Sequence, residues 1–595
     1  MCGIFAISTT NKNINDAAKH ITDGLKSLDY RGYDSWGITV KTDQGLKTHK
    51  QVGKLENDDH LTLLPTASIG IGHTRWATHG GITHANAHPH HSSDGKFVLA
   101  QNGIVENYQE LKQELKDKGW KFTTETDTEV IVRQIEEQQK HTPDLTTAIR
   151  QTILDLKGRN TIIALTTDGE IIAARNGSPL VIGLTDSNDT VYLSSDTLSF
   201  ATVATKIIVI DNGQLIRCRG NQLEIFDVKT GNKILPKIEK IQLAAGVADK
   251  EGYPHFMLKE IHEASYVINQ VVNHPDAAYA QLAKAIKNSQ QVYTIGSGTT
   301  GLAAAQTAYY LRELANINAI SLVGAEAQSY YHLFSADDLI IAPSQSGETA
   351  DVLEVLEVAK SKGTKLATFV NMPGSMMTRM SDFPFMANAG PELCVMATKT
   401  FVSQLAWGYL VAKTTEGKIT AGKTYLEDTA KIIDQYLSDK TTHISTKKLA
   451  QKLITAKDIF LMGKSQNLQI VMEGMVKIIE GTYKHAHGIS AGDLKHYAIT
   501  IIETGVPVIA VISDDQSRAD MLSAVNEVKA RGATIIAIAP ENNEAFDEYL
   551  RVPQVEETSA IINVIPLQLL AYYMTVALGN NVDKPRNIAK SVTVK

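Results

Sequence analysis

Leu339-Ile-Ile-Ala-Pro-Ser344 runs into Gln345-Ser-Gly-Glu-Thr349 and then Ala350-Asp-Val-Leu353: an apolar strand, a turn of small hydroxyl residues, and the opening of a helix. Adding 169 to Ser344, Ala350, Asp351, Leu353, Lys360 and Gly363 gives Ser513, Ala519, Asp520, Leu522, Lys529 and Gly532, the same residue type each time. Two further strand-to-turn units precede these, Val292-Tyr-Thr-Ile295 into Gly296-Ser-Gly-Thr-Thr300 and Ile459-Phe-Leu-Met462 into Gly463-Lys-Ser-Gln-Asn467. Strand, turn and helix repeated in this way predict doubly wound parallel sheets. The spacing predicts a duplication, with α/β domains at 275–425 and 445–580 and a tail at 581–595. Ser346, Gly347 and Thr349 map onto Asp515, Gln516 and Arg518, so only the first copy keeps the small hydroxyl-rich turn.

Upstream the pattern is different. Ile4–Ser8, Trp36–Lys41 and the pair Ile162–Leu165 and Glu170–Ala174, joined by Asp168-Gly169, read as short strands rich in antiparallel pairing. Asn107–Lys118 and Thr128–Gln139 read as helices between them, which predicts an α+β region over 2–233. Pro236, Gly246, Gly252 and Pro254 break periodicity, so 234–254 reads as a linker.

With 58 Lys and Arg against 65 Asp and Glu, a net charge of −7 offers no global attraction to nucleic acid or anionic membrane. Three cysteines, Cys2, Cys218 and Cys394, are too few for a disulfide framework and point to a reducing cytoplasm. No leader pattern and no run of about 18 apolar residues is present, so neither export nor spanning is expected.

Removal of Met1 would leave Cys2 first, where a free α-amine of pKa roughly 8 can take a proton from the thiol, as in N-terminal nucleophile hydrolases. The alternative is a small apolar residue opening a strand. The turn Ser344–Thr349 suits a phosphate, because helix-start amides and the hydroxyls of Ser344, Ser346 and Thr349 all donate; an ordinary helix cap uses the same residue types. Thr299 and Thr300, at another strand end of the same domain, can meet the same ligand. Gly296-x-Gly298-x-x-Gly301 matches a dinucleotide fingerprint in form, but no acid follows at a second strand end. On the helix Leu468–Gly481, Glu473, Lys477 and Glu480 share one face. They read either as a solvated pair or, given the apolar residues around them, as buried groups tuned for proton transfer. Histidines gather at His84, His88, His90 and His91, and at His485, His487 and His496, without the spacing of a metal site.

Cys2-Gly-Ile4, Leu28-Asp-Tyr-Arg-Gly-Tyr-Asp34, His73-Thr-Arg-Trp-Ala-Thr-His-Gly80, Asn86-Ala-His-Pro-His90, Gln101-Asn-Gly103 and Thr126-Asp-Thr-Glu-Val130 together resemble a class II glutamine amidotransferase domain, an Ntn-hydrolase αββα sandwich. With two sugar isomerase (SIS) domains and the tail Pro585-Arg-Asn-Ile-Ala-Lys-Ser-Val-Thr-Val594, the whole chain resembles the glutamine–fructose-6-phosphate aminotransferase family. The resemblance implies that Cys2 attacks the glutamine carboxamide, Arg75 and Asp127 grip the α-carboxylate and α-amine, Asn102 and the Gly103 amide form the oxyanion hole, and Trp76 gates an ammonia channel. His79 joins the glutamine site. In the sugar site it implies phosphate binding by Thr299, Thr300, Ser344, Gln345, Ser346 and Thr349. Lys590 would form a Schiff base with carbon 2, His496 of a neighbouring copy would open the ring, and Glu480, helped by Lys477 and Glu473, would move the proton. A homodimer acting on glutamine and fructose 6-phosphate, with no cofactor, metal, nucleic acid or membrane, is the expectation. Against the family pattern, Tyr497-Ala498 follow His496 where Gly-Pro is usual, His487 replaces Glu, Ala397 replaces Ser, and Thr300 stands for Ser. Two other readings are a glutamine amidotransferase with another acceptor, such as phosphoribosyl pyrophosphate, and a non-catalytic sugar-phosphate sensor. Ser513–Arg518 lacks the glycine and threonines of a pyrophosphate loop, and a sensor leaves Cys2, Glu480 and Lys590 without joint purpose.

Overall fold

Apolar residues on both faces of the first strands build a stack of four layers. In Gly3–Thr9, Ile4 and Ala6 point to one side and Phe5 and Ile7 to the other, all buried, as the two-residue period of a strand requires. Ile4 and Ala6 meet Val98, Ala100, Ile163 and Leu165 of a second sheet, while Phe5 and Ile7 pack under the helix Ala17–Ser27. Phe97 and Leu99, on the far side of the second sheet, pack under Tyr108–Asp117, Asp127–Gln139 and Leu145–Asp155. The result is helix, sheet, sheet, helix, the αββα sandwich.

The computed structural model describes residues 2–28, 31–241 and 249–593. These divide into two compact units, one holding residues up to 246 with the end of the chain from Ser591, the other Val247–Lys590. Among the described residues the first sheet of the sandwich has eight strands and the second seven. Gly3–Thr9 lies between Thr190–Ser194 and Ile69–Arg75, antiparallel to both, which sets Cys2 beside the end of the strand that carries Arg75. Phe97–Gly103 pairs antiparallel with Asn160–Thr166, and that strand with Glu170–Asn176, forming the expected hairpin. The stretch read as a linker is partly sheet. Lys233–Ile234 pairs with Gln222–Asp227, and Glu239–Lys240 forms the edge next to Lys206–Val209; such two-residue strands carry too little alternation to be seen in sequence. Residues 242–248 of that stretch lie outside the described residues, as do Met1, Asp29, Tyr30, Val594 and Lys595.

In the second unit the duplication is explicit. The strands Val292–Gly296, Ala319–Val323, Leu339–Ser344, Lys365–Val370 and Phe383–Met386 form a parallel sheet in the order 2-1-3-4-5. Asp458–Gly463, His485–Ser490, Pro507–Val511, Thr534–Ala539 and Glu548–Arg551 repeat that order. The two copies share one core. Leu339, Ile341 and Phe369 of the first sheet and Ile459, Leu461 and Ile509 of the second belong to a single buried cluster, filled by Thr299–Ala315, Lys399–Glu416, Leu468–Thr482 and Ser559–Ala577. Ser559–Ala577 was not singled out in the sequence. Among the described residues it alone is long and apolar enough to cross a membrane, but 83% of its most apolar window is buried inside the fold.

Candidate functional site

The thiol of Cys2 accepts the Trp76 amide at 3.3 Å and lies 3.6 Å from the Trp76 carbonyl, while Arg31 donates to the Cys2 carbonyl at 3.3 Å. Burial pushes the Cys2 thiol up; the Trp76 amide and the nearby Arg75 guanidinium pull it down. Arg75, almost fully buried, spends its guanidinium on the carbonyls of His79, Gly80 and Gly81, which shapes the loop after its strand. Asn86 and Glu125 clamp the same loop, Asn86 on the Gly81 carbonyl at 3.0 Å and Glu125 on the Gly81 amide at 3.0 Å. The His79 ring packs edge-on against Tyr108, and Trp76 against Tyr33.

Thr126-Asp-Thr-Glu129 reads as a capping box, and Thr126 does cap the helix. Glu129 instead reaches the amides of Thr123 and Thr124, fixing the approach to the helix. The helix therefore starts at Asp127, one residue before its expected start, and Asp127 is buried in the first turn with one oxygen on the Val105 amide at 2.9 Å. Burial pushes its carboxyl up.

Asn102 is buried near the end of Phe97–Gly103, beside the His73 ring. Gly103 takes φ +134°, and a Cβ there would stand 2.0 Å from the Arg159 carbonyl, so only glycine fits beside it.

The first histidine cluster is structural. His88 bonds Thr128 at 3.1 Å, His90 bonds Thr126 at 3.0 Å and His91 bonds Thr48 at 3.0 Å, so these ring nitrogens are spent on threonines even though the His88 ring lies 4.9 Å from that of His90 and 4.3 Å from that of His73. His73, between Cys2's neighbours and Gln101, is pushed down to about 3 by burial, against the pull of its bond to the Gln101 carbonyl. Among the described residues no three His, Cys, Asp or Glu side chains gather as a metal site needs.

In the second unit, the hydroxyl turn stands at the switch point where strand order reverses. Gly347, at φ +67°, presses so close to Ser375 that a Cβ would lie 2.2 Å from its hydroxyl. Ser344 accepts the Gly347 amide at 2.8 Å and Ser346 the Glu348 amide at 3.2 Å, while the Gln345 carbonyl takes the Asn371 amide at 3.3 Å. Thr349 occupies the cap position of Ala350–Ser361 without a side-chain cap bond. Thr299 and Thr300 open the neighbouring helix, and the Thr299 hydroxyl donates to Glu473 at 3.3 Å.

Glu473 and Lys477 are buried, not a solvated pair. Burial pushes Glu473 up to about 7 despite Lys477 at 3.4 Å. Burial would lower Lys477, but Glu473 and Glu480 outweigh it and hold the ammonium charged. Glu480 is the partly exposed member and the one able to face a substrate. Lys590 donates to Glu392 at 2.5 Å and to the Cys394 carbonyl at 2.7 Å. Glu392 and Glu260, which surround it, are absent from the sequence reading because residues 260, 392 and 590 share no local pattern. His496 is not brought to this group. It sits exposed in the turn Leu494–His496, and its ring bonds no described side chain.

The sequence of the first unit matches the glutamine amidotransferase domain at residues 47–164, and the second unit matches the SIS domain twice, at 285–413 and 452–578. Glutamine–fructose-6-phosphate aminotransferase [isomerizing] of Pyrococcus horikoshii is 37% identical over 606 aligned residues covering all of both chains. The chain belongs to the glutamine–fructose-6-phosphate aminotransferase family. The Thermus thermophilus member is 35% identical, again over the full length of both. Among solved structures, the C-terminal domain of glucosamine-fructose-6-phosphate aminotransferase from Francisella tularensis covers 57% of this chain and 100% of its own, at 26% identity and a TM-score of 0.52.

Proposed function

We propose that this chain hydrolyses glutamine and transfers the ammonia to fructose 6-phosphate with isomerisation, giving glutamate and glucosamine 6-phosphate. One observation carries the reading: a single chain, matched end to end by the family, holds a thiol that accepts a backbone amide and, separately, a lysine on a buried carboxylate and a Glu473–Lys477–Glu480 face bonded to Thr299. Cys2 attacks the carboxamide carbon, and the oxyanion receives the Asn102 amide and the Gly103 N–H. Ammonia leaves, and water releases glutamate from the thioester. Arg75 and the loop it shapes, with Trp76 and His79, take the glutamine α-carboxylate, and Asp127 takes its α-amine. In the sugar site the phosphate sits on Ser344, Gln345, Ser346, Thr349, Thr299 and Thr300, where helix-start amides and hydroxyls face an anion. Lys590 forms an imine with carbon 2. Glu480, backed by the Lys477 charge and by Glu473, carries the proton between carbons 1 and 2. The exposure of His496 supports a homodimer in which it opens the sugar ring in the neighbouring copy. Cytoplasmic, cofactor-free action on small molecules, without nucleic acid or membrane, completes the reading.

The test is incubation of purified protein with glutamine and fructose 6-phosphate, with products identified by mass. Glucosamine 6-phosphate formed in step with glutamate is expected. Glutamate without any amino sugar would overturn the acceptor.

A further inference from the structure

Lys590 is enclosed by two acids from distant parts of the second unit. Glu392 is wholly buried; one oxygen takes the Lys590 ammonium at 2.5 Å and the Thr400 hydroxyl at 2.7 Å, the other takes the amides of Thr398 at 2.9 Å and Thr400 at 3.1 Å. Glu260, on the helix Phe256–His262, is 2% exposed and takes the amides of Leu393 at 2.5 Å and Cys394 at 3.3 Å on one oxygen. Its other oxygen is buried without a hydrogen-bond partner among the described residues. The helix is itself anchored, because Asp583 accepts the amides of Phe256 and Met257 at 3.1 and 3.0 Å while its carbonyl takes the Val395 amide at 2.9 Å. Glu260 therefore grips the segment 392–394 that presents both acceptors of Lys590.

Two ionised carboxylates and one ammonium would leave a net negative charge out of water, so the pair of acids favours holding one proton. Burial and the Glu392 charge push Glu260 up to about 8, against Lys590 and Lys399. Burial works to raise Glu392 as well, but Lys590 and the Thr400 and Thr398 donors hold it down. The other groups around Glu260 are accounted for: Lys399 is paired with Glu263 at 2.6 Å, Asp583 is spent on the helix start, and burial keeps the Cys394 thiol protonated. From the neighbouring helix Ser559–Ala577, Tyr572 bonds His255 at 3.1 Å. Lys259 pairs with Glu251 at 2.8 Å, and His262 stacks on His443.

We propose that Glu260 is a positioning residue for the Lys590 amine, fixing the Glu392 carboxylate and the Cys394 carbonyl against it and, as a neutral acid beside Glu392, keeping the local charge at the value that lets Lys590 release a proton. The inference rests on the reading of Lys590 as the imine-forming lysine. In that step Lys590 passes one proton to Glu392, its nitrogen bonds to carbon 2, and the carbonyl electron pair moves to oxygen. That oxygen takes the proton from Glu392 and a second from nitrogen and leaves as water, so the third proton stays on the iminium. An ionised Glu260 opposes the first transfer by holding the proton on Lys590.

The test traps the iminium formed with fructose 6-phosphate by sodium cyanoborohydride, read by intact mass between pH 6 and 10 in the full-length chain. Glu260→Gln keeps an acceptor for the two amides but cannot ionise; its trapping at pH 7 stays within about threefold of the parent and its midpoint moves to lower pH by about one unit. Glu260→Ala loses both functions and traps at least about tenfold less at every pH, with glutamine hydrolysis intact. A Glu260→Gln profile superimposable on the parent, with Lys590→Ala silent, overturns the role of Glu260 alone. Trapping that survives in Lys590→Ala overturns the reading of the lysine and this inference with it.

Discussion

The two parallel sheets of the second unit share strand order and matched residues, yet their switch points end in opposite ways. At the first, Thr349 makes no side-chain cap bond to its helix and Thr299 reaches across to Glu473. At the second, the same place is filled by the protein. Asn467 donates to Ser513 at 2.8 Å, Asn563 bridges both at 2.9 and 3.1 Å, and Gln466 and Ser517 both donate to Asp515. Carboxylates at Asp514 and Asp515 also repel a phosphate. The difference teaches that two copies can keep one strand order and the same strand-end serine, Ser344 and Ser513, while the turn that follows differs residue by residue. The second copy instead supplies a helix: Glu473, Lys477 and Glu480 stand on its Leu468–Thr482 and meet the first copy's loop at Thr299.

The comparison breaks most visibly at Lys590. Lys590→Ala is expected to lower amino-sugar formation by at least about a thousandfold while glutamine hydrolysis continues, and Cys2→Ala to abolish glutamine hydrolysis, and with it glutamine-driven amino-sugar formation, while sparing ketose-to-aldose isomerisation. Assays of both half-reactions on each variant check this; an unchanged rate of glucosamine 6-phosphate formation in Lys590→Ala would remove the sugar site from where it is placed. Next in size, Ser346→Ala or Thr349→Ala should weaken fructose 6-phosphate binding by about 1–3 kcal/mol, the worth of a charge-assisted donor, whereas Ser517→Ala should leave it unchanged. Equal losses from both copies, measured as KM, would refute the asymmetry. Asn563→Ala, which opens the filled switch point, should cost about 1–3 kcal/mol of stability through the stranded Asn467 Oδ1, read as a lower Tm with KM for the sugar phosphate unaltered.

The smallest effect is a slope. Glu473, held near 7 in the fold but ordinary when unfolded, binds more protons folded than unfolded between about pH 4.5 and 7, so its contribution to stability declines as pH rises through that window. Glu473→Gln removes the titration. The Tm of the variant relative to the parent should therefore climb between about pH 5 and 7 and level off above, and a flat difference would mean that Glu473 is not held protonated.

Much of this was legible because it was local. The offset of 169 between Ser344 and Ser513, the run from Leu339 to Thr349, and the spacing of Glu473, Lys477 and Glu480 each lie within one element or one repeat. The apolar run Ile4-Phe-Ala-Ile7 placed Cys2 at the opening of a strand for the same reason. What stayed hidden was long-range or too short. Glu260 and Glu392 gather around Lys590 from elements with no common period, and Glu239–Lys240 pairs over two residues only. Ser559–Ala577 mixes Asn563, Gln568 and Pro566 into its apolar run, which disguises a core helix as an unremarkable stretch. Whether Glu473 and Lys477 were solvated or buried could be decided only by what packs over them.

The bond from Thr299 to Glu473 has a consequence for inheritance. With Glu473 of the second copy bound by Thr299 of the first copy's loop, neither copy can be replaced by a relative without bringing its counterpart. A chimera that takes residues 445–580 from another duplicated sugar-phosphate protein would keep the sheet and lose the reaction unless the graft also carried an acid at 473 and a hydroxyl remained at 299. The duplication has become a single heritable part.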